Sequence, residues 1–381
     1  MAFEFSAQQS EQQNAGLDLE AKRVFKSDFD AAVAGFDGVI QEHTVGFAEA
    51  RWPKVGLEPW LFTAQGVAKA AVLVMVQPLP LKLGQIAVVK WGPLLADETA
   101  TEADEIEATV ITFLKAHYAI KRSMMLSVMA KAPNAESPKL FDWLLAHGFD
   151  AAEPVAFPAR YQINLRLSDA DQRKSFAPEW LDHLTKAEAN GLTFEVAGPE
   201  YLKRFQKLYD VMSSHKNFPD YSAYQTLPDI FANLPETLKP QLFFVTHEGK
   251  DVAGAIIFTA GRTAAYLYGA TNDQASPLRA GYLLHARIIS WLRDNTPAQW
   301  YDLGGTDGLQ KLHQFKKGMV GTTGRLVQVP ALANFAATNR AWVVGHSAYK
   351  LRDLYQHLST RINLLLGRKA KPDQVMDSEA A

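Results

Sequence analysis

Short apolar runs along the chain alternate with stretches whose apolar residues recur every three or four positions. Strands and helices are therefore predicted to take turns. Residues 29–36 read as a short helix ending near Gly38. Residues 60–65 and 70–77 read as strands joined by a turn at Gly66, and 85–91 as a third strand, closed by Gly92-Pro93. Ile106, Val110, Phe113 and Leu114 share one face of a helix over 102–117. A buried strand over 124–129, a helix over 140–146 capped by Gly148, and an alternating strand over 161–167 follow.

A second segment repeats the order. Helices over 180–190 and 201–214 precede three strands over 242–247, 252–260 and 264–270. A helix over 283–293, a strand over 300–303, a basic helix over 309–319 and a last strand over 325–329 complete it. Laying Gly92 on Gly269 brings Met125-Leu126 onto Asp302-Leu303 without a gap. An offset this long points to a duplicated domain, not a solenoid. The predicted units are a flexible tail over 1–19, domains over 20–166 and 167–330, a C-terminal amphipathic helix over 331–367 and a polar tail over 368–381. Leu351, Leu354, Tyr355, Leu358, Ile362 and Leu365 share one face of that helix, amid seven basic residues and one acid between 340 and 371. Packing back onto the body and lying on an anionic membrane surface are both open to such a helix.

Composition narrows the chemistry. With 39 basic and 41 acidic residues in 381, the chain has no global positive field for nucleic acid. The absence of cysteine removes disulfides, thiolate metal sites and cysteine nucleophiles. No apolar run approaches the roughly 20 residues of a membrane span, and the first residues lack the apolar core of a secretion signal. A cytoplasmic protein, working at the inner face of the cell membrane if its C-terminal helix engages lipid, is the expectation. The sequence has no Walker A loop and no nucleophile elbow, and its ten histidines lack metal spacing, so no metal site is expected.

The most informative stretch is 300–321, where a strand delivers Tyr301 and Asp302, Gly304-Gly305-Thr306-Asp307-Gly308 turns the chain, and a helix carries Lys311, His313, Lys316 and Lys317. Four basic residues and no acid between 308 and 326 point to an anionic ligand. The glycine run is either a plain turn or a phosphate cradle at a helix start.

Several segments in order resemble the FemABX peptidyltransferases, which use aminoacyl-tRNA to build peptidoglycan cross-bridges. They are Val39-Ile40-Gln41 with residues 47–52, Lys90-Trp91-Gly92-Pro93, and Lys186-Ala187-Glu188-Ala189-Asn190-Gly191. Val252-Ala253-Gly254-Ala255, Ala265-Tyr266-Leu267-Tyr268-Gly269-Ala270, Tyr301-Asp302-Leu303-Gly304-Gly305 and Phe315-Lys316-Lys317-Gly318 continue the series to about residue 325.

The resemblance implies an α/β (α+β) fold of two tandem GNAT-like domains with mixed twisted sheets. It also implies transfer of an amino acid from aminoacyl-tRNA to an amine of a lipid-linked or nucleotide-linked muropeptide, with no other cofactor. Lys316 is then the catalytic residue that neutralises the carbonyl oxygen. Tyr268 lies in the acceptor cleft and Arg51 holds acceptor phosphate. Trp91, Tyr221, Tyr224, Tyr301, Asp302 and Lys317 complete the expected substrate-binding set. An acyl-CoA-dependent N-acyltransferase, aminoacylation of another envelope polysaccharide, and a non-catalytic envelope-binding module are the competing readings. The CoA reading is weakened because 276–282 carries one glycine where a pyrophosphate loop needs more.

Overall fold

The computed structural model describes residues 18–79, 83–132, 139–155, 157–215 and 224–351. The first half contributes strands β1 (Glu20–Arg23), β2 (Gly56–Ala64), β3 (Val67–Pro78), β4 (Gln85–Val89), β5 (Leu94–Leu95), β6 (Met125–Val128), β7 (Asp150–Ala151) and β8 (Ala159–Asn164). The second contributes β9 (Thr193–Ala197), β10 (Gln241–His247), β11 (Lys250–Phe258), β12 (Thr263–Thr271), β13 (Trp300–Asp302), β14 (Arg325–Gln328) and β15 (Ala333–Phe335).

Two mixed sheets result, and they share one topology. The first runs β1-β2-β3-β4-β6-β15-β7, with β5 on β3; the second, read from its far edge, runs β9-β10-β11-β12-β13-β8-β14. In each, four antiparallel strands lead to a parallel step, β4 on β6 and β12 on β13, and then to two antiparallel strands. The hairpins β2–β3 and β10–β11 turn on Gln65-Gly66 and Glu248-Gly249, where both residues of each pair have positive φ. Such a turn matches the twist of the flanking strands.

The duplication is thus present in the strand order. The gapless alignment is off by two residues, however. Ile86 pairs with Met125 and Thr263 with Trp300, so the second unit has two residues fewer between its parallel strands.

Sheet membership departs from chain order at two strands. The strand expected to close the first domain, β8, is hydrogen bonded between β13 and β14 in the second sheet. The segment expected to begin the C-terminal helix instead supplies β15, which fills the gap between β6 and β7 in the first sheet. The exchange is reciprocal: each domain completes the other's sheet at the equivalent position. Asn334 of β15 is buried, and its Oδ1 accepts from Ser127 Oγ at 2.7 Å. A satisfied buried polar pair of this kind fixes the register of the inserted strand.

The helix that follows covers 339–351. Its Ala348 and Tyr349 pack on the core between the domains, and the Tyr349 hydroxyl donates to Ser127 Oγ at 2.9 Å. Leu354, Tyr355, Leu358, Ile362 and Leu365 lie outside the described residues. Among the described residues no helix is long and apolar enough to cross a membrane.

Each domain has its own core, around Trp60, Val72, Val110 and Leu126 in the first and Ile163, Leu284, Ile289 and Tyr301 in the second. A third core joins them, with Val39, Phe47, Trp52 and Met125 against Ile230, Leu234 and Phe258.

The buried Ser127–Asn334 pair gives a direct check on the inserted strand. Asn334→Ala should cost about 1–3 kcal/mol by denaturant titration, since it strands a buried hydroxyl. The double variant with Ser127→Ala should lose less than the sum of the two singles. Strict additivity would show that the two side chains are not coupled.

Candidate active site between the domains

The loop after the first helix (Lys26–Val33) crosses to the second domain at the β11–β12 turn. Arg262 N–H donates to Asp37 O at 2.7 Å, and Arg262 Nε pairs with the Asp37 carboxylate at 2.9 Å. Gly261 makes the approach feasible: a methyl group there would fall 2.7 Å from Val39 O. The next residues form a tight turn, Gln41–His43. His43 Nδ1 accepts from Ile40 N–H, so its Nε2 carries the proton and donates to Trp91 O at 2.7 Å. Burial, and then the Lys131 charge, lower the His43 pKa to about 3, which keeps the ring neutral. The turn and Trp91 are thereby locked together.

Between this wall and the second sheet lies a cavity of about 110 Å³. Trp91, Glu42, Glu98 and Lys131 line it from the first domain, and Arg160, Gln162, Tyr266, Leu267 and Asp302 from the second. Its volume is below the roughly 300–1,000 Å³ of pockets that enclose a whole ligand. It has room for the reacting end of a larger substrate.

Arg160 and Gln162 stand on the exchanged strand β8, opposite β13. Arg160 Nε donates to Asp302 Oδ2 at 2.9 Å and Gln162 Nε2 to the same oxygen at 3.1 Å. Gly304 N–H donates to Oδ1 at 2.7 Å. Burial alone would raise the Asp302 pKa, but the Arg160 charge and these bonds outweigh it and hold the carboxyl below its usual range. The Arg160 guanidinium also lies 5.4 Å from the centre of the Trp91 ring.

Tyr266 projects into the cleft because β12 carries a bulge. Ile257 faces Tyr266 and Ile256 faces Tyr268, leaving Leu267 as the extra residue. The Tyr266 ring then folds over Gly269, where a methyl group would fall 1.6 Å from the phenol oxygen. Burial pushes the phenol pKa up to about 12, so it stays a hydrogen-bond donor at neutral pH.

Lys316 does not reach the cleft surface. It is buried behind it, with Nζ donating to Leu303 O at 2.6 Å and Gly305 O at 2.5 Å and lying 5.9 Å from the centre of the Tyr266 ring. Burial is the largest influence on its pKa and, with the Arg160 charge, lowers it to about 8 against the pull of Asp302 and Asp307. The lysine clamps the glycine turn by both carbonyls. It therefore shapes the turn that presents the Gly304 amide to Asp302.

The other sequence-chosen residues fall in several places. Trp91 and Asp302 line the cleft. Tyr301 is fully buried in the second core, with its hydroxyl 3.2 Å from His285 Nδ1. Tyr268, across the bulge, packs on the core of Phe205 and Leu208, as does Tyr224, whose hydroxyl donates to Asp210. Arg51 ends the helix Val45–Arg51 away from the cavity lining. Lys317 is exposed on the helix Gln310–Val320. Tyr221 lies outside the described residues. Glu42, Arg160 and Tyr266 were not singled out. Tyr266 stands in the same Tyr-Leu-Tyr-Gly run as Tyr268, and the other two carry no local signal.

The Lys316 environment predicts a pH effect of definite sign. The unfolded chain holds the Lys316 proton up to the ordinary 10.5, whereas the folded chain releases it near 8. The unfolded state binds more protons in that window, so stability rises with pH across it. The unfolding free energy of the wild type relative to Lys316→Met should increase between about pH 8 and about pH 10. A flat difference would mean that the ammonium is not desolvated.

Residues 182–317 match the model of an acetyltransferase (GNAT) domain. No curated protein matches the sequence. Among solved structures, FemX is 15% identical, with 83% of this chain and 97% of that one covered at a TM-score of 0.68. A C-terminal domain assigned to a lysylphosphatidylglycerol synthetase from Agrobacterium fabrum is 14% identical, covering 84% and 95% at 0.52. L-PGS from Bacillus licheniformis is 12% identical, covering 82% and 92% at 0.51. The chain is thus similar in fold to FemX, with two GNAT-like domains of one topology, the second of which matches the acetyltransferase (GNAT) model over residues 182–317.

Proposed function

We propose that the protein transfers an amino acid from aminoacyl-tRNA to an amine of a peptidoglycan precursor. The observation that carries this reading is the cleft itself. It presents a protonated phenol, Tyr266, beside the fixed Arg160–Asp302 pair. Aminoacyl transfer needs no enzyme nucleophile. The acceptor amine attacks the ester carbonyl, the new C–N bond forms, and the ribose oxygen leaves with the proton balance made up from the amine. What the protein must supply is orientation and a donor for the oxyanion. Tyr266 fits the donor role, and Lys316 supports the site from behind by holding the glycine turn. The exposed Lys311 and Lys317 on the helix after that turn suit contact with tRNA phosphate. The likeness in fold to a domain of a lysylphosphatidylglycerol synthetase, an enzyme named for an aminoacylated lipid, is in keeping with transfer of an amino acid.

A second reading, acyl transfer from CoA, meets a specific obstacle. A CoA pyrophosphate is held by free backbone N–H groups before the helix Ala280–Asn295. Here Leu278, Arg279, Ala280 and Tyr282 N–H donate to Gln274 O, Ser276 O, Ala275 O and Arg279 O. Four donors of the turn are thereby already engaged within it.

The reading is tested by incubating the protein with radiolabelled aminoacyl-tRNAs and either nucleotide-linked or lipid-linked muropeptide. Amide-linked label in the muropeptide is expected. Label transferred only from acetyl-CoA would select the second reading. Tyr266→Phe should lower kcat about a hundredfold with little change in KM, as loss of one oxyanion donor does. Tyr268→Phe, behind the bulge, should stay within about threefold of wild type. The reverse order would move the donor role to Tyr268.

A further inference from the structure

The helix over 339–351 has two unlike faces. Thr338 starts it: its Oγ1 accepts from Ala341 N–H at 3.2 Å and its carbonyl from Trp342 N–H at 3.0 Å. The inner face is built from small residues. Ala341, Gly345 and Ala348 lie against the body, and a methyl group at Gly345 would fall 2.4 Å from Met125 Cε. The outer face carries Arg340, Val343, Ser347 and Lys350, flanked by Trp342 and Leu351. His346 stacks on one side of the Trp342 ring at 4.1 Å.

Beside this helix lies the turn between β3 and β4. Leu79 N–H donates to Gly84 O at 3.0 Å, and a methyl group at Gly84 would fall 3.7 Å from Val344 Cγ1. Asn, Asp and Gly are the ordinary choices for a turn. This one reads Leu79-Pro80-Leu81-Lys82-Leu83-Gly84. Leu83, Trp342, Val343 and Leu351 are between 46% and 63% exposed. Four apolar side chains left in water on two neighbouring elements mark a contact surface, because the fold gains nothing from placing them there.

Charge selects the partner. Between 308 and 352 the chain has seven Lys and Arg residues and no Asp or Glu, although its net charge is −2. Arg340 and Lys350 stand exposed among the apolar side chains, and Lys82 belongs to the turn sequence. A second copy of the chain, docked by a two-fold contact, would set these cations against their own equivalents. An anionic bilayer suits both features: its headgroups attract the cations, and its acyl boundary accepts leucine, valine and tryptophan. The apolar stripe predicted to run from Leu351 to Leu365 also begins on the outside, since Leu351 is exposed.

We propose that the 79–84 turn and the outer face of the 339–351 helix form a docking surface for an anionic lipid bilayer. The inner face holds the helix on the protein while the outer face meets the lipid. None of the surface residues lines the cleft, so the proposal stands apart from the transfer reading.

The test is co-sedimentation of the full chain with vesicles of pure phosphatidylcholine or of equal parts phosphatidylcholine and phosphatidylglycerol. Wild type should bind the anionic vesicles at least about tenfold more tightly, a preference that high salt removes. Leu83→Ser combined with Val343→Ser should weaken that binding about tenfold. Arg340→Gln combined with Lys350→Gln should weaken it by a similar factor on anionic vesicles and leave binding to neutral ones unchanged. All four side chains are exposed, so the thermal midpoint of each variant should match that of wild type. Lipids brominated on the acyl chain should quench wild-type tryptophan fluorescence, and Trp342→Phe should lose most of that quenching. Absence of binding, equal binding to the two vesicles, or binding indifferent to both double variants would overturn the proposal. So would quenching that persists in Trp342→Phe. A concentration-dependent dimer that Leu83→Ser with Val343→Ser dissociates, without vesicle binding by wild type, would give the surface to a second copy instead.

Discussion

The reciprocal exchange of β8 and β15 is the constraint on which the rest depends. Each sheet lacks one strand of its own and receives it from the other half of the chain. The two domains therefore cannot be completed separately, and wide hinge opening would break sheet hydrogen bonds on both sides. The exchanged strand also furnishes the site. Arg160 and Gln162 reach Asp302 because β8 runs beside β13. Without the exchange the second sheet would end at Asp302, and that carboxylate would lose the partners that keep it ionised.

Electrostatics inside this frame follows one rule: charges near the cleft are paired, and titratable groups behind it are kept neutral or close to neutrality by burial. His285 shows the second case, its pKa lowered to about 3 by burial and then by the Lys316 charge. Lys316, with two carbonyls and no carboxylate in direct contact, is drawn down to about 8. A neutral lysine still has N–H donors for both carbonyls, so the clamp on the glycine turn survives deprotonation.

Local pattern carried much of the fold. The hairpins and the helix–strand order of both halves follow from apolar periodicity and from turns such as Gln65-Gly66, whereas mixed sheets were implied only by the family resemblance. Sheet membership did not, because β8 and β15 look like any short apolar strand or, for β15, like the start of the helix that follows; their partners lie far off in sequence. The same limit applied to the site. Trp91 and Asp302 end or join predicted strands, so motif and geometry coincide there. Tyr266 and Tyr268 are two apart and should share a face of β12, but the bulge at Leu267 separates them. Lys316 read as a catalytic residue facing the cleft from a basic helix, although its side chain points under the turn. The Asp37–Arg262 pair, formed across the domain boundary, is likewise invisible in a linear sequence.

The central claim is that the chemistry takes place in the cleft between the domains. The most direct measurement is a crystal structure with a stable bisubstrate analogue, a phosphonamidate in which phosphorus replaces the aminoacyl carbonyl carbon and carries both the adenosine oxygen and an acceptor amine. We expect the tetrahedral phosphorus to lie in the cleft between Trp91 and Tyr266. An analogue bound instead at the 276–282 turn, with the cleft unoccupied, would contradict this account.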